Sequence, residues 1–112
     1  EGAVLSASGH MNIGNTRTQT TIAGLVGGNN VTLSGTTNNT SNTFTYVAQS
    51  GTLSSRGYMA FTAAWSGTAT AYHAATTIAG TVTAGTSITF STNGNVYIEG
   101  ASASVRAGAS FP

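Results

Sequence analysis

Thr20-Thr21-Ile22-Ala23-Gly24 recurs letter for letter as Thr76-Thr77-Ile78-Ala79-Gly80. The correspondence extends downstream, where Val26 answers Val82 and Val31-Thr32-Leu33-Ser34 answers Ile88-Thr89-Phe90-Ser91 after a one-residue insertion. Upstream, Ala3-Val4 through Ser8-Gly9 loosely echoes Ala60-Phe61 through Ser66-Gly67. A period near half the chain implies two similar supersecondary units, about 3–56 and 60–112, packed as one domain over 1–112.

Both copies are written in strand language. Lys is absent, Glu and Gln are scarce, and β-branched residues are everywhere, so helix-forming windows are missing. Apolar and hydroxyl residues alternate over Ala3–Ser8, Thr18–Ala23, Asn30–Ser34 and Thr43–Ala48. The second half reads as strands at Tyr58–Trp65, Thr68–His73, Thr76–Val82, Thr86–Ser91, Asn95–Glu99 and Ala101–Arg106. Glycines at 27, 28, 35, 51, 67, 85, 94 and 100 punctuate these runs as residues that accept positive φ in tight turns. Asn93-Gly94 predicts a two-residue hairpin between Thr86–Ser91 and Asn95–Glu99. The Ser/Thr/Asn tract from Ser34 to Asn42 reads as an exposed loop. Short strands with an internal repeat predict an all-β fold, a jelly-roll-type sandwich of two similar Greek-key halves.

Arg56-Gly57-Tyr58-Met59-Ala60-Phe61 and Val82 through Phe90 resemble the strand rhythm of tumour-necrosis-factor-like and complement-like jelly rolls. That resemblance implies compact trimeric heads of the kind found on phage fibre tips and spore appendages. It carries no functional residue onto this chain, which lacks the charged surface of the animal members.

Charge is the compositional anomaly. Only 4% of the 112 residues are charged, against roughly 25% in ordinary soluble domains. The charged side chains are Glu1, Arg17, Arg56, Glu99 and Arg106, while 21 Thr, 13 Ser, 9 Asn and 15 Gly provide the polar surface. Little net charge means little repulsion between copies, which favours association. Disorder is excluded by abundant aromatic and β-branched residues. Three scattered arginines disfavour nucleic acid as a partner. No cysteine exists for a disulfide or a thiolate metal site. No apolar run is long enough for membrane insertion as a helix, and Glu1 reads as a processed or excised end.

Chemistry-bearing residues are few. Glu1 and Glu99 are the only side-chain carboxylates, which leaves glycoside hydrolysis without a well-placed pair. No Asp and no Gly-x-Ser-x-Gly motif supports a triad. His10 and His73 alone make no metal site, and no cofactor is implied. Sugar binding would use Trp65, Tyr46, Tyr58, Tyr72 and Tyr97 among Asn, Thr and Ser, with Arg56 beside Tyr58; the competing role for these aromatics is core or subunit contact. Thr-x-Thr pairs at 16–18, 18–20, 43–45, 68–70 and 81–83 suggest ice binding, but their spacing is irregular. Asn30-Val31-Thr32, Asn38-Asn39-Thr40 and Asn39-Thr40-Ser41 match the glycosylation acceptor pattern.

The reading is a non-catalytic structural subunit that self-assembles through unguarded β-strand edges into an extracellular appendage or virion-surface element. Val4, Leu5, Tyr58, Phe61 and Trp65 are its candidate assembly residues, and the Glu1–Ser8 stretch a candidate donor strand. The alternative is a receptor- or carbohydrate-binding head, with Trp65, Tyr72 and Arg56 as candidate ligand contacts.

Overall fold

In the computed structural model, which describes residues 4–108, the chain winds as a parallel β-solenoid with three faces. The first coil consists of β1 (Val4–Ser6), β2 (His10–Thr16) and β3 (Gln19–Ile22). The second is β4 (Leu25–Gly28), β5 (Asn30–Thr37) and β6 (Thr43–Val47). The third is β7 (Thr52–Ser55), β8 (Tyr58–Trp65) and β9 (Ala74–Ile78), with a 3₁₀ turn at Ala71–His73 before β9. The fourth is β10 (Thr81–Ala84), β11 (Ser87–Thr92) and β12 (Val96–Ile98), after which β13 (Ser104–Ala107) begins a further coil. The first sheet has the order β1-β4-β7-β10-β13, the second β11-β8-β5-β2 and the third β12-β9-β6-β3. All strand pairs are parallel.

The jelly-roll expectation is therefore wrong in topology though right in class. A jelly roll is antiparallel, whereas here each strand is joined to its sheet neighbour by the rest of a coil, long enough for a parallel crossover. The repeat that suggested two halves is a step of two coils. The coils from Leu25 to Thr52 and from Thr52 to Thr81 take 27 and 29 residues, together the 56 that separate the Thr-Thr-Ile-Ala-Gly copies. Val31-Thr32-Leu33-Ser34 and Ile88-Thr89-Phe90-Ser91 occupy the same register, with Met59-Ala60-Phe61-Thr62 stacked between them. The looser echo of Val4 in Phe61 joins residues of different sheets, β1 and β8.

Alternation sets the core. Val31, Leu33, Met59, Phe61, Val47, Ile78, Leu53 and Val82 point inward and are at most 1% exposed. They form ladders at the ~4.8 Å strand spacing of any sheet: Met11-Val31-Met59-Ile88, Ile13-Leu33-Phe61-Phe90, Ile22-Val47-Ile78-Ile98 and Leu5-Val26-Leu53-Val82-Val105. Phe61 and Phe90 stack face to face, with centroids 4.9 Å apart and planes 9° from parallel. Buried hydroxyls are satisfied at the corners: Ser55 donates to the carbonyls of Asn29 (2.9 Å) and Tyr58 (2.7 Å), and Thr37 to that of Ser41 (2.7 Å). Thr43 donates to Asn15, whose amide in turn reaches Thr20 (2.9 Å).

Several local expectations change with the topology. Asn93-Gly94 turns a corner between sheets, because β11 and β12 belong to different faces. Thr76–Val82 is two strands with a corner at Ala79-Gly80, and Thr68–His73 is a loop ending in the 3₁₀ turn. Strands β2, β4 and β7 were not anticipated. Of the punctuating glycines, only Gly67 and Gly100 have positive φ. The corner glycines answer a different demand, close passage of successive coils. A Cβ on Gly80 would lie 2.2 Å from the carbonyl oxygen of Ala48 and 2.5 Å from that of Gly51. Replacing Gly80 by Ala should therefore cost roughly 2–3 kcal/mol through overpacking. Gly9, with nothing within 4 Å of its Cβ position, should accept Ala within about 0.5 kcal/mol. Urea denaturation of the two variants checks the contrast.

Candidate functional site

A solenoid buries each coil against the next, so its first and last coils are where the stack is incomplete. At one end lie the edge strands β1, β2 and β3; at the other β13, β11 and β12. Among the described residues each edge strand presents one row of backbone N–H and C=O groups with no neighbouring strand. Natural edges are commonly guarded by Lys, Pro or inward-pointing charge. Among these six strands only β13 carries a charged residue, Arg106, and none contains proline.

The core ladders run out into solvent at these ends. Ile22, Val47 and Ile78 are at most 5% exposed, but Ile98, the next rung, is 54% exposed. Likewise Val26, Leu53 and Val82 are buried, while Leu5 on the first coil is 54% exposed. At the first-coil end an opening of about 370 Å³ is lined by Leu5, Ile13, Ile22 and Val26. It is the interior of the solenoid seen end on.

A second feature lies on the flank. The outward side of the third sheet carries Gln19 and Phe44 in one row and Thr21, Tyr46, Thr77 and Tyr97 in the next. All of these but Thr21, together with Tyr72 and Glu99, bound a groove of about 460 Å³. Tyr72 stands on the 3₁₀ turn as its wall and is 69% exposed. His73 holds that turn in shape: its Nδ1 accepts from the Thr70 N–H (3.1 Å), its own N–H donates to the Thr70 carbonyl (2.9 Å), and its ring meets Tyr72 edge-on at 5.8 Å. Asn95 donates to the Tyr97 hydroxyl (3.0 Å).

The residues singled out from sequence are dispersed over this framework. Val4 and Leu5 sit on the outermost strand of the first sheet. Phe61 is 1% exposed inside the middle of the solenoid, where it serves the core and offers no contact surface. Tyr58 is exposed on the outer side of the second sheet, its hydroxyl 3.3 Å from His10 Nδ1. Trp65 ends β8 and is tied to the corner after β11: its indole N–H donates to the Asn93 carbonyl (2.5 Å), and the Asn93 side chain bridges the Trp65 N–H (3.0 Å) and carbonyl (3.1 Å). Arg56 is exposed at the corner between the first and second sheets, away from Trp65 and Tyr72 at the corner between the second and third. Thus Trp65, Tyr72 and Arg56 do not form one site. Tyr46, Tyr72 and Tyr97 do converge, joined by Phe44, Gln19 and Glu99, which sequence reasoning missed. The outward alternation of Phe44 and Tyr46 on β6 was the available signal.

Among the described residues no cluster of three or more His, Cys, Asp or Glu converges to hold a metal, and no helix is long and apolar enough to cross a membrane. No family model, curated protein or solved structure matches this chain.

Since Trp65 is the sole tryptophan, it reports on its own corner. Asn93→Ala should red-shift its emission and raise its quenching by acrylamide. Losing two side-chain hydrogen bonds should cost about 1–2 kcal/mol in denaturant titrations.

Proposed function

We propose that this chain is a non-catalytic structural subunit whose coils continue end to end into those of neighbouring copies, forming an extracellular appendage or virion-surface element. The observation that carries this reading is the run-out of the core at both ends: half-exposed Leu5 and Ile98 terminate ladders that are buried in between, on edges nearly devoid of charge. A second copy added in register pairs its β2 with β11 and its β3 with β12, extending the ladders of the second and third sheets and covering Val96 and Ile98. Each fully buried apolar side chain gained in this way contributes about 1.5–3 kcal/mol. Because one end meets the opposite end, the contact is heterologous, and such contacts propagate into filaments unless rotation closes a ring.

The first sheet has five strands and the others four, so in-register addition brings β13 of one copy to the level of β1 of the next. One must yield. β1 has three residues, all exposed, whereas Val105 on β13 is half-buried against the core. β13 therefore takes the place of β1 beside β4 of the next copy, with Val105 in the position of Leu5. The donor strand is thus carboxy-terminal, in place of the Glu1–Ser8 stretch expected from sequence, whose first three residues lie outside the described ones.

Light scattering after size exclusion, with negative-stain microscopy, tests the proposal. The parent should form concentration-dependent, end-to-end assemblies. Ile98→Lys places a charge at an open end on a side chain already half exposed, and should abolish them with little change in melting temperature. Ala64→Lys on the flank should leave them intact, and deletion of residues 1–8 should preserve or accelerate assembly. A parent that stays a single copy at high concentration, or an Ile98→Lys variant that assembles like the parent, refutes it.

A further inference from the structure

We propose that the flank groove on the third sheet is a binding site for a neutral polysaccharide, lying along the solenoid axis. Its lining combines two kinds of group that sugar recognition needs. Phe44, Tyr46, Tyr72 and Tyr97 offer ring faces and edges for the C–H-bearing faces of pyranose rings. Gln19 and Glu99, with the tyrosine hydroxyls, supply donors and acceptors for sugar hydroxyls.

The spacing follows from the fold. Tyr46 and Tyr97 belong to the same outward row, separated by Thr77 on the intervening strand. Two strand steps put their backbones about 9.6 Å apart, comparable to the length of a disaccharide. Tyr97 and Tyr46 thus sit one disaccharide apart along a shallow track, with Tyr72 rising beside it. The platform is preformed: Tyr46 and Tyr97 stand on strands of one sheet, Asn95 holds the Tyr97 hydroxyl, and the His73–Thr70 contacts fix the turn that carries Tyr72. Little ordering is left to oppose binding.

Charge selects among possible occupants. The groove is lined by one carboxylate and by no Lys or Arg, which disfavours nucleic acid and acidic sugars. Four aromatic rings interleaved with an amide and hydroxyls suit a ligand that is amphipathic on every residue, as a neutral glycan is. Among the described residues Glu99 is the only acidic side chain in the lining, and the chain contains no Asp. Hydrolysis of the glycosidic bond, which uses two carboxyl groups, is not part of this proposal; the site holds its ligand.

The groove lies on the flank, so the proposal stands independently of end-to-end assembly. The test is calorimetric titration with hexasaccharides of glucose, galactose, mannose and N-acetylglucosamine, alongside a uronate hexasaccharide as the acidic arm. At least one neutral hexasaccharide should bind, and the uronate should bind more weakly. The double substitution Tyr72→Ala with Tyr97→Ala removes two exposed rings and should lower affinity at least about tenfold, with an unchanged melting temperature. Tyr58→Ala, an exposed tyrosine on another face, should bind like the parent. The proposal is overturned if no neutral hexasaccharide binds, if the uronate binds best, or if the double variant and Tyr58→Ala behave alike.

Discussion

Everything in this molecule depends on parallel strands stacking in register, so that each residue lies over its counterpart in the coil below at about 4.8 Å. Inside, that constraint turns the alternation of single strands into continuous ladders, such as Ile13-Leu33-Phe61-Phe90. Outside, it makes charge costly. Like charges at that spacing repel by about 1 kcal/mol even in water and by more near a protein surface, whereas Thr, Ser and Asn stack without penalty. Arg17, Arg56 and Glu99 accordingly lie between strands, and Arg106 is the one charged side chain within a described strand.

Irregularity is tolerated because it is confined to corners. The connections from the second sheet to the third span residues 17–18, 38–42, 66–73 and 93–95 in successive coils, while the strands they join keep perfect register. The longest of them carries the 3₁₀ turn with Tyr72, and the last carries Asn93, which grips Trp65. Variable corner length thus builds the wall of the flank groove without disturbing the ladders beneath it. The same property weakens the objection to ranked threonines, since uneven spacing in the chain becomes alignment in the sheet: Thr20, Thr45 and Thr76 form one such rank, turned inward.

The two surfaces with functional promise divide cleanly by direction. The ends are apolar and hydrogen-bond-hungry, features suited to another β edge. The flank is aromatic and polar, features suited to a soluble amphipathic ligand. Growth along the axis would leave the flank open and would repeat it at every subunit, so that an assembly of many copies would gain avidity from sites that are individually shallow.

Much of the local structure was legible in the chain. Tyr58–Trp65 reads as a strand with the ends it has, because the side-chain period of a strand is a local property; that Phe61 serves the core and not an assembly contact was decided by the coils stacked on either side of it. Tyr46, Tyr72 and Tyr97 could be named as sugar-facing candidates from type alone. Partnership was not legible. Period-two alternation is the same whether a neighbour runs parallel or antiparallel, and coils of 21, 27, 29 and 23 residues blur the true repeat, so that only the two-coil interval was visible. Corner glycines looked like reverse turns because their reason, a backbone passing within contact distance, lies a whole coil away. For the same reason only the folded structure could unite Gln19, Phe44 and the Tyr97–Glu99 end of β12, three places distant in sequence. Composition determined that the chain is β and poor in charge; register, set by contacts between coils, decided which faces those strands share.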